Sequence, residues 1–104
     1  MGSELLCEAI QTRTLLEFDY DGLRRVVAPY CHGFIASGEA LRAVQLRGQS
    51  RSGVLGVGKL WVLAKMKNVR ATGEAFVPDD PDYNPDDRAM VRIHCRIEPA
   101  ALFT

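Results

Sequence analysis

The clearest periodicity in the chain lies towards its C-terminal end, where Val91, Ile93, Cys95 and Ile97 alternate with Met90, Arg92, His94 and Arg96. A period of two belongs to a strand with one buried face, so a C-terminal strand is expected over 89–97. The same period recurs at Leu16, Phe18 and Tyr20, which alternate with Glu17 and Asp19. Asp21-Gly22 follows at once and predicts a two-residue hairpin turn into a return strand from Leu23 to Pro29. That strand sets Leu23, Arg25, Val27 and Pro29 on one side, with Arg24, Val26 and Ala28 on the other. Pro29 has no N–H for a ladder bond and should mark the strand's end or an edge. A turn at Ser37-Gly38 leads to a third strand near Ala40–Leu46. Gly48 to Gly58 reads as a Gly/Ser-rich loop, and an apolar run from Leu60 to Leu63 contains the only tryptophan, Trp61. Charged and apolar residues alternate again from Lys65 to Val69.

Ahead of these strands, Leu5, Leu6, Ala9 and Ile10 fall at helical spacing. A short helix is expected over 4–13, capped by Ser3, with Glu4 at the positive end of its dipole. Segment 78–87 holds three prolines and five aspartates and should be an exposed loop. The expected fold is therefore mainly β. A short N-terminal helix precedes a small, strongly bent five-stranded sheet or partly open barrel, with the barrel placed over 14–76 and the C-terminal strand over 89–97, all within one domain spanning 1–104.

At 104 residues, 47% apolar and 25% charged, the composition is that of a soluble globular domain. No apolar run approaches the ~20 residues that span a bilayer, and the start of the chain lacks the pattern of a signal peptide. No membrane partner and a cytoplasmic location are expected. Three cysteines, Cys7, Cys31 and Cys95, are odd in number and far apart, so no disulfide framework is suggested. Cys31-His32 and His94-Cys95 raise the question of zinc. Neighbours on a strand point to opposite faces, however, so each pair would offer a metal one ligand rather than two. No metal and no cofactor are assigned.

The formal net charge of zero conceals a segregation. Between Glu39 and Glu74 there is no acidic residue, yet Arg42, Arg47, Arg51, Lys59, Lys65, Lys67 and Arg70 all fall there. Such a block points to an anionic partner. Gly53 to Lys59 fits the G-x-x-x-x-G-K half of a phosphate-binding loop, but Leu60 replaces the magnesium-binding hydroxyl and no helix is indicated after Lys59. Asp80, Asp82, Asn84 and Asp86 alternate like calcium ligands, but Pro85 stands where glycine is needed, and Asx-turns account for them more simply. Cys31 or Ser37 with a histidine, or paired aspartates, supply no recognisable catalytic pattern; no catalytic residue is assigned and the chain is not read as an enzyme. Arg42, Arg47 and Arg51 flank the glycine-serine loop and suit phosphate oxygens. Tyr30, Phe34 and Trp61 are candidate stacking partners, and Arg92, His94 and Arg96 could extend the patch.

The order of parts carries one resemblance. A helix, a strand ending in Tyr20, the Asp21-Gly22 hairpin, Arg25-x-Val27-x-Pro29, a central strand, Lys59-x-Trp61-x-x-x-Lys65-Met66 and then Phe76 resemble the WYL domain over roughly residues 5–76. The central strand here reads Ala40-Leu41-Arg42-Ala43-Val44-Gln45-Leu46 in place of the family's Trp-Tyr-Leu. The resemblance implies an Sm-like, SH3-type barrel of bacterial regulatory type, connected with transcription, with the C-terminal strand closing or extending it. It also implies a nucleic acid or nucleotide-like effector in a basic groove, with a separate DNA-binding or effector protein as a further partner. The expected ligand contacts are Arg25, Arg42, Arg47, Arg51, Lys59 and Lys65, with single-stranded nucleic acid or a nucleotide-like anion as ligand. The alternative is a self-associating or partner-binding accessory domain, a homo-oligomer whose acidic loop pairs with the basic block of a neighbour.

Overall fold

The computed structural model describes residues 4–50, 53 and 55–98. Helix α1 (Glu4–Thr12) is followed by strands β1 (Thr14–Tyr20), β2 (Leu23–Ile35), β3 (Gly38–Gly48) and β4 (Gly58–Val62). A 3-10 turn at Leu63–Lys65 leads to β5 (Lys67–Ala75), and β6 (Arg92–Arg96) comes last. The helix stops at Thr12 because Arg13 takes a left-handed φ of 53°. The cap expected at Ser3 lies outside the described residues. Asp21 and Gly22 both have positive φ, 54° and 74°, which is the turn that their sequence predicts.

The six strands form one open antiparallel sheet in the order β4-β3-β2-β1-β5, with β6 pairing β2. A closed barrel is therefore not formed. Closure needs the two end strands to pair, and here β4 and β5 remain the ends. The long strand β2 explains the arrangement. Its first half pairs β1 up to Val27, and its second half pairs β6 from Cys31 to Phe34, while β3 runs along its other edge. Of the two expectations for Pro29, strand end or edge, the first does not hold, since β2 continues to Ile35, and the second does locally. Pro29 sits in the gap where β1 has finished and β6 has not begun, beside a register shift against β3, so no ladder bond is lost there.

Leu6, Ala9 and Ile10 of α1 join Leu16, Phe18, Val27, Leu41 and Trp61 in the main core. Phe18 and Leu16 are fully buried, each contributing about 2–3 kcal/mol of hydrophobic stabilisation. Trp61 lies edge-on to both Phe18 and Tyr20. A smaller cluster of Cys31, Ala40 and Met90 anchors the second half of β2. Cys7 and Cys95 form a disulfide, contrary to the expectation from spacing. Their separation of 88 residues sets a loop-closure cost but not a distance, and packing α1 against β6 brings their Cα atoms to 5.8 Å.

Candidate functional site

The registers of four neighbouring strands place Arg47 of β3, Val26 of β2, Glu17 of β1 and Arg70 of β5 in one row. Arg24, two residues before Val26, shares that face by the pleat. Above them lies a groove of about 700 Å³, also lined by Gln49 and Thr72. Its floor is a buried carboxylate. Glu17 accepts hydrogen bonds from Arg24 and a 2.5 Å ion pair from Arg70. Arg47 reaches across β2 and β1 to Glu74 of β5, donating through both terminal nitrogens at 2.9 and 2.8 Å. That pairing holds the Glu74 carboxyl below its ordinary value. Three guanidinium groups against two carboxylates leave one net positive charge. The three arginine side chains stay more than half exposed, so donors remain available to a ligand.

The groove wall where β3 ends depends on a close backbone crossing. Gly48 has φ 94°, and a Cβ there would lie 2.4 Å from the Arg24 carbonyl oxygen. Only glycine fits. The Gln49 amide donates to the same Arg24 oxygen at 2.8 Å. Beneath this crossing, the fully buried Gln45 donates to the Arg47 and Gln49 carbonyls at 3.0 and 2.8 Å. Its own carbonyl accepts from Arg25 Nη1 at 3.3 Å.

The six residues expected to contact ligand do not converge. Arg25 is buried, 4% exposed, donating to the Tyr20 carbonyl and to Gln45 beside the Tyr20 and Trp61 rings. It supports the groove wall from below. Lys59 lies near Arg25, with its ammonium 6.0 Å from the Trp61 ring centre, in a smaller cleft of about 230 Å³. Lys65 lines a third depression with Asp19 and Asp21. Arg42 is bidentate to Asp87, at 2.7 and 3.2 Å. Arg51 lies outside the described residues. Of the five that are described, Arg47 alone lines the groove, and its companions there, Arg24 and Arg70, were not among the expected contacts. Arg24 carried a signal: the Asp21-Gly22 turn fixes the β1–β2 register and sets it diagonal to Glu17.

The proposed stacking residues are also placed elsewhere. Trp61 and Tyr30 are 2% exposed; the indole N–H donates to the Ala43 carbonyl and the Tyr30 hydroxyl accepts from the Asp80 amide. Phe34 carries the Arg92 guanidinium over its ring at 4.4 Å. Arg96 is held by Asp86 and the Pro85 carbonyl, so β6 does not extend the groove. Asx-turns do organise the acidic loop, with Asp82 N donating to Asp80 and Asp86 N to Asn84. Lys59 enters a strand, not a helix, as the incomplete phosphate-loop pattern indicated.

No family model, curated protein or solved structure matches this chain.

A second constellation gathers at the far half of β2. Cys7 of α1, His32 of β2, and His94 and Cys95 of β6 place their ligand atoms within 4.8 Å of one another. The neighbours His94 and Cys95 both take part because the β2–β6 ladder is irregular. His32 pairs Cys95 and Gly33 pairs Ile93, leaving His94 as an extra residue. Such a bulge re-aims side chains, so the strict alternation expected of a regular strand does not hold at His94 and Cys95. Cys31, by contrast, is fully buried in the small core, and burial pushes its thiol up to about 11, leaving it neutral and a poor nucleophile.

Proposed function

We propose that this chain is a non-enzymatic, WYL-like binding module of regulatory type that takes a phosphate-bearing ligand in the Arg24–Arg47–Arg70 groove. The ligand is single-stranded nucleic acid or a nucleotide-like anion. One observation carries this reading: three exposed guanidinium groups from three strands converge on one groove whose floor supplies a single buried carboxylate. Each fork can exchange part of its bonding for phosphate oxygens without being desolvated first. Val26 and Ala71 give the groove an apolar strip, but among the described residues no aromatic side chain lines it. Recognition should rest on phosphates, with little preference among bases.

The test is fluorescence anisotropy with labelled single-stranded DNA, RNA and a nucleotide across salt concentrations. Two to three phosphate contacts on a single strand give a log–log salt slope of about −2, or roughly a 15-fold loss of affinity between 50 and 200 mM salt. Arg24→Ala, Arg47→Ala and Arg70→Ala should each reduce the slope by about 0.7. Absence of binding at low salt by all three probes sinks the proposal.

A second reading, self-association, is favoured by β5. This strand ends the sheet, and of its nine residues all but Val69 are exposed. An edge of that length can pair with a second copy of itself. The acidic loop is a weaker candidate for the interface, since Asp86 and Asp87 are already paired with Arg96 and Arg42 of the same chain. Sedimentation velocity separates the two forms. A charge-paired oligomer dissociates as salt rises, and a strand-paired one does not.

A further inference from the structure

The Cys7–His32–His94–Cys95 cluster has the donor set of a structural zinc site, two sulfurs and two imidazole nitrogens. Its distances fit one. With Zn–N of about 2.0–2.1 Å and Zn–S of about 2.3 Å, tetrahedral geometry sets N···N near ~3.3 Å, N···S near ~3.5 Å and S···S near ~3.8 Å. The two Nδ1 atoms of His32 and His94 lie 3.1 Å apart, and Cys7 Sγ lies 3.5 Å from His94 Nδ1. Cα atoms 5.8 Å apart leave both cysteine side chains free to reach one ion once the sulfurs are no longer bonded.

The surroundings support the same assignment. His32 is fully buried, and its Nε2 lies 2.9 Å from a carboxylate oxygen of Glu39. A proton on Nε2 donated to Glu39 leaves the Nδ1 lone pair directed into the cluster, the carboxylate–histidine arrangement that orients zinc ligands. His94 is exposed and Cys7 and Cys95 are partly exposed, which gives an ion a path from solvent. Two thiolates would neutralise the dication.

We propose that the reduced protein binds one zinc ion through Cys7 Sγ, Cys95 Sγ, His32 Nδ1 and His94 Nδ1, and that the Cys7–Cys95 disulfide is the oxidised, metal-free state of the same site. A dithiol reductant delivers two electrons and two protons to the disulfide, breaking the S–S bond and closing its own. Zinc then displaces the two thiol protons. In the reverse direction hydrogen peroxide accepts two electrons from the thiolates and, with two protons, becomes two waters. The sulfurs join and the ion leaves. Both states tie α1 to β6, so the exchange changes the ligand and not the fold.

The experiment uses the whole chain and zinc alone as probe. Protein reduced with a phosphine and dialysed against micromolar zinc should hold one ion per chain by elemental analysis, and the disulfide form none. Cobalt substitution should give the intense visible bands of a tetrahedral site with thiolate charge transfer. Peroxide should release the ion as the disulfide re-forms. His94→Asn, at an exposed position, and Glu39→Gln, behind His32, should lower zinc affinity at least tenfold and about tenfold respectively, with circular dichroism unchanged. Cys7→Ser should abolish the disulfide and weaken the thiolate–cobalt band to what Cys95 alone supplies. Substoichiometric zinc in the reduced protein overturns the proposal. So does zinc binding that survives His94→Asn and Glu39→Gln undiminished, since the cysteines alone would then account for it.

Discussion

Replacing Arg25 with alanine separates a residue that supports the fold from one that holds ligand. The side chain is 4% exposed. Its guanidinium donates to the Tyr20 carbonyl at 3.1 and 3.4 Å and to Gln45 at 3.3 Å, all rather long. Truncation strands one buried and one partly buried acceptor, at about 1 kcal/mol each for bonds of this length. It also removes the charge from 5.4 and 5.9 Å of the Trp61 and Tyr20 ring centres, worth about 0.5 kcal/mol each. The expected loss is about 3 kcal/mol. An unfolding entropy of about 2.1 cal/mol/K per residue converts this to a fall in Tm of roughly 14 °C for a chain of this size. Urea titration followed by tryptophan fluorescence reads the free energy, since Trp61 is the sole tryptophan and lies in the same cluster. Ligand binding, measured where the variant is still folded, should keep the parent's salt slope. An unchanged urea midpoint, or a slope reduced as much as by Arg47→Ala, would refute the assignment of Arg25 to the fold.

Three further perturbations test the supports around the two sites. Gly48→Ala sets a methyl 2.4 Å from the Arg24 carbonyl in a left-handed backbone, and should cost about 2–3 kcal/mol in urea while weakening phosphate binding through the displaced wall. Gly33→Ala meets the Arg92 carbonyl at 2.3 Å; hydrogen exchange should show β6 losing protection before β1 does. Asp87→Asn removes the charge from a largely buried partner of Arg42 and should cost about 1–3 kcal/mol, with proteolysis within 78–87 as the readout. Burial pushes the Asp87 carboxyl up, but the Arg42 and Ala89 hydrogen bonds outweigh it and hold it below its ordinary value. A depressed folded pKa gives stability that is present above the unfolded value and lost as pH falls through the folded one. The parent should therefore lose this contribution below about pH 4, and Asp87→Asn should flatten that part of the stability profile.

Local signals carried much of the fold. The Asp21-Gly22 turn, the alternation at Leu16–Tyr20 and the helical spacing of Leu5 to Ile10 depend on contacts within a few residues, and each element formed where they placed it. Arg24 and Arg25 were separated by the same alternation, one facing the groove and the other the core. Long-range register was not legible. Arg70 reaches Glu17 only because β5 pairs β1 with two irregularities, and Arg42 turns away because Asp87, 45 residues later, is folded against it. A block of cations along the chain is one-dimensional, whereas a groove is set by which strands lie side by side. The open sheet distributes that block over several surfaces and assembles the groove with an arginine, Arg24, from outside it.

The far end of β2 shows how one inserted residue changes the chemistry that an alternating pattern allows. Strict pleating from Met90 to Ile97 would send His94 and Cys95 to opposite faces, and only one could meet His32. The ladder instead pairs His32 with Cys95 and Gly33 with Ile93, so His94 occupies no rung and is carried towards Cys95's side. Gly33 permits this. Any larger residue would strike the Arg92 carbonyl and hold β6 too far from β2 for two histidine nitrogens to lie 3.1 Å apart. The close approach at one glycine and the extra residue opposite it are thus parts of a single device. A sequence in which His94 stood one position earlier, with the ladder regular, would keep the strand and the hydrophobic face but lose the four-atom cluster.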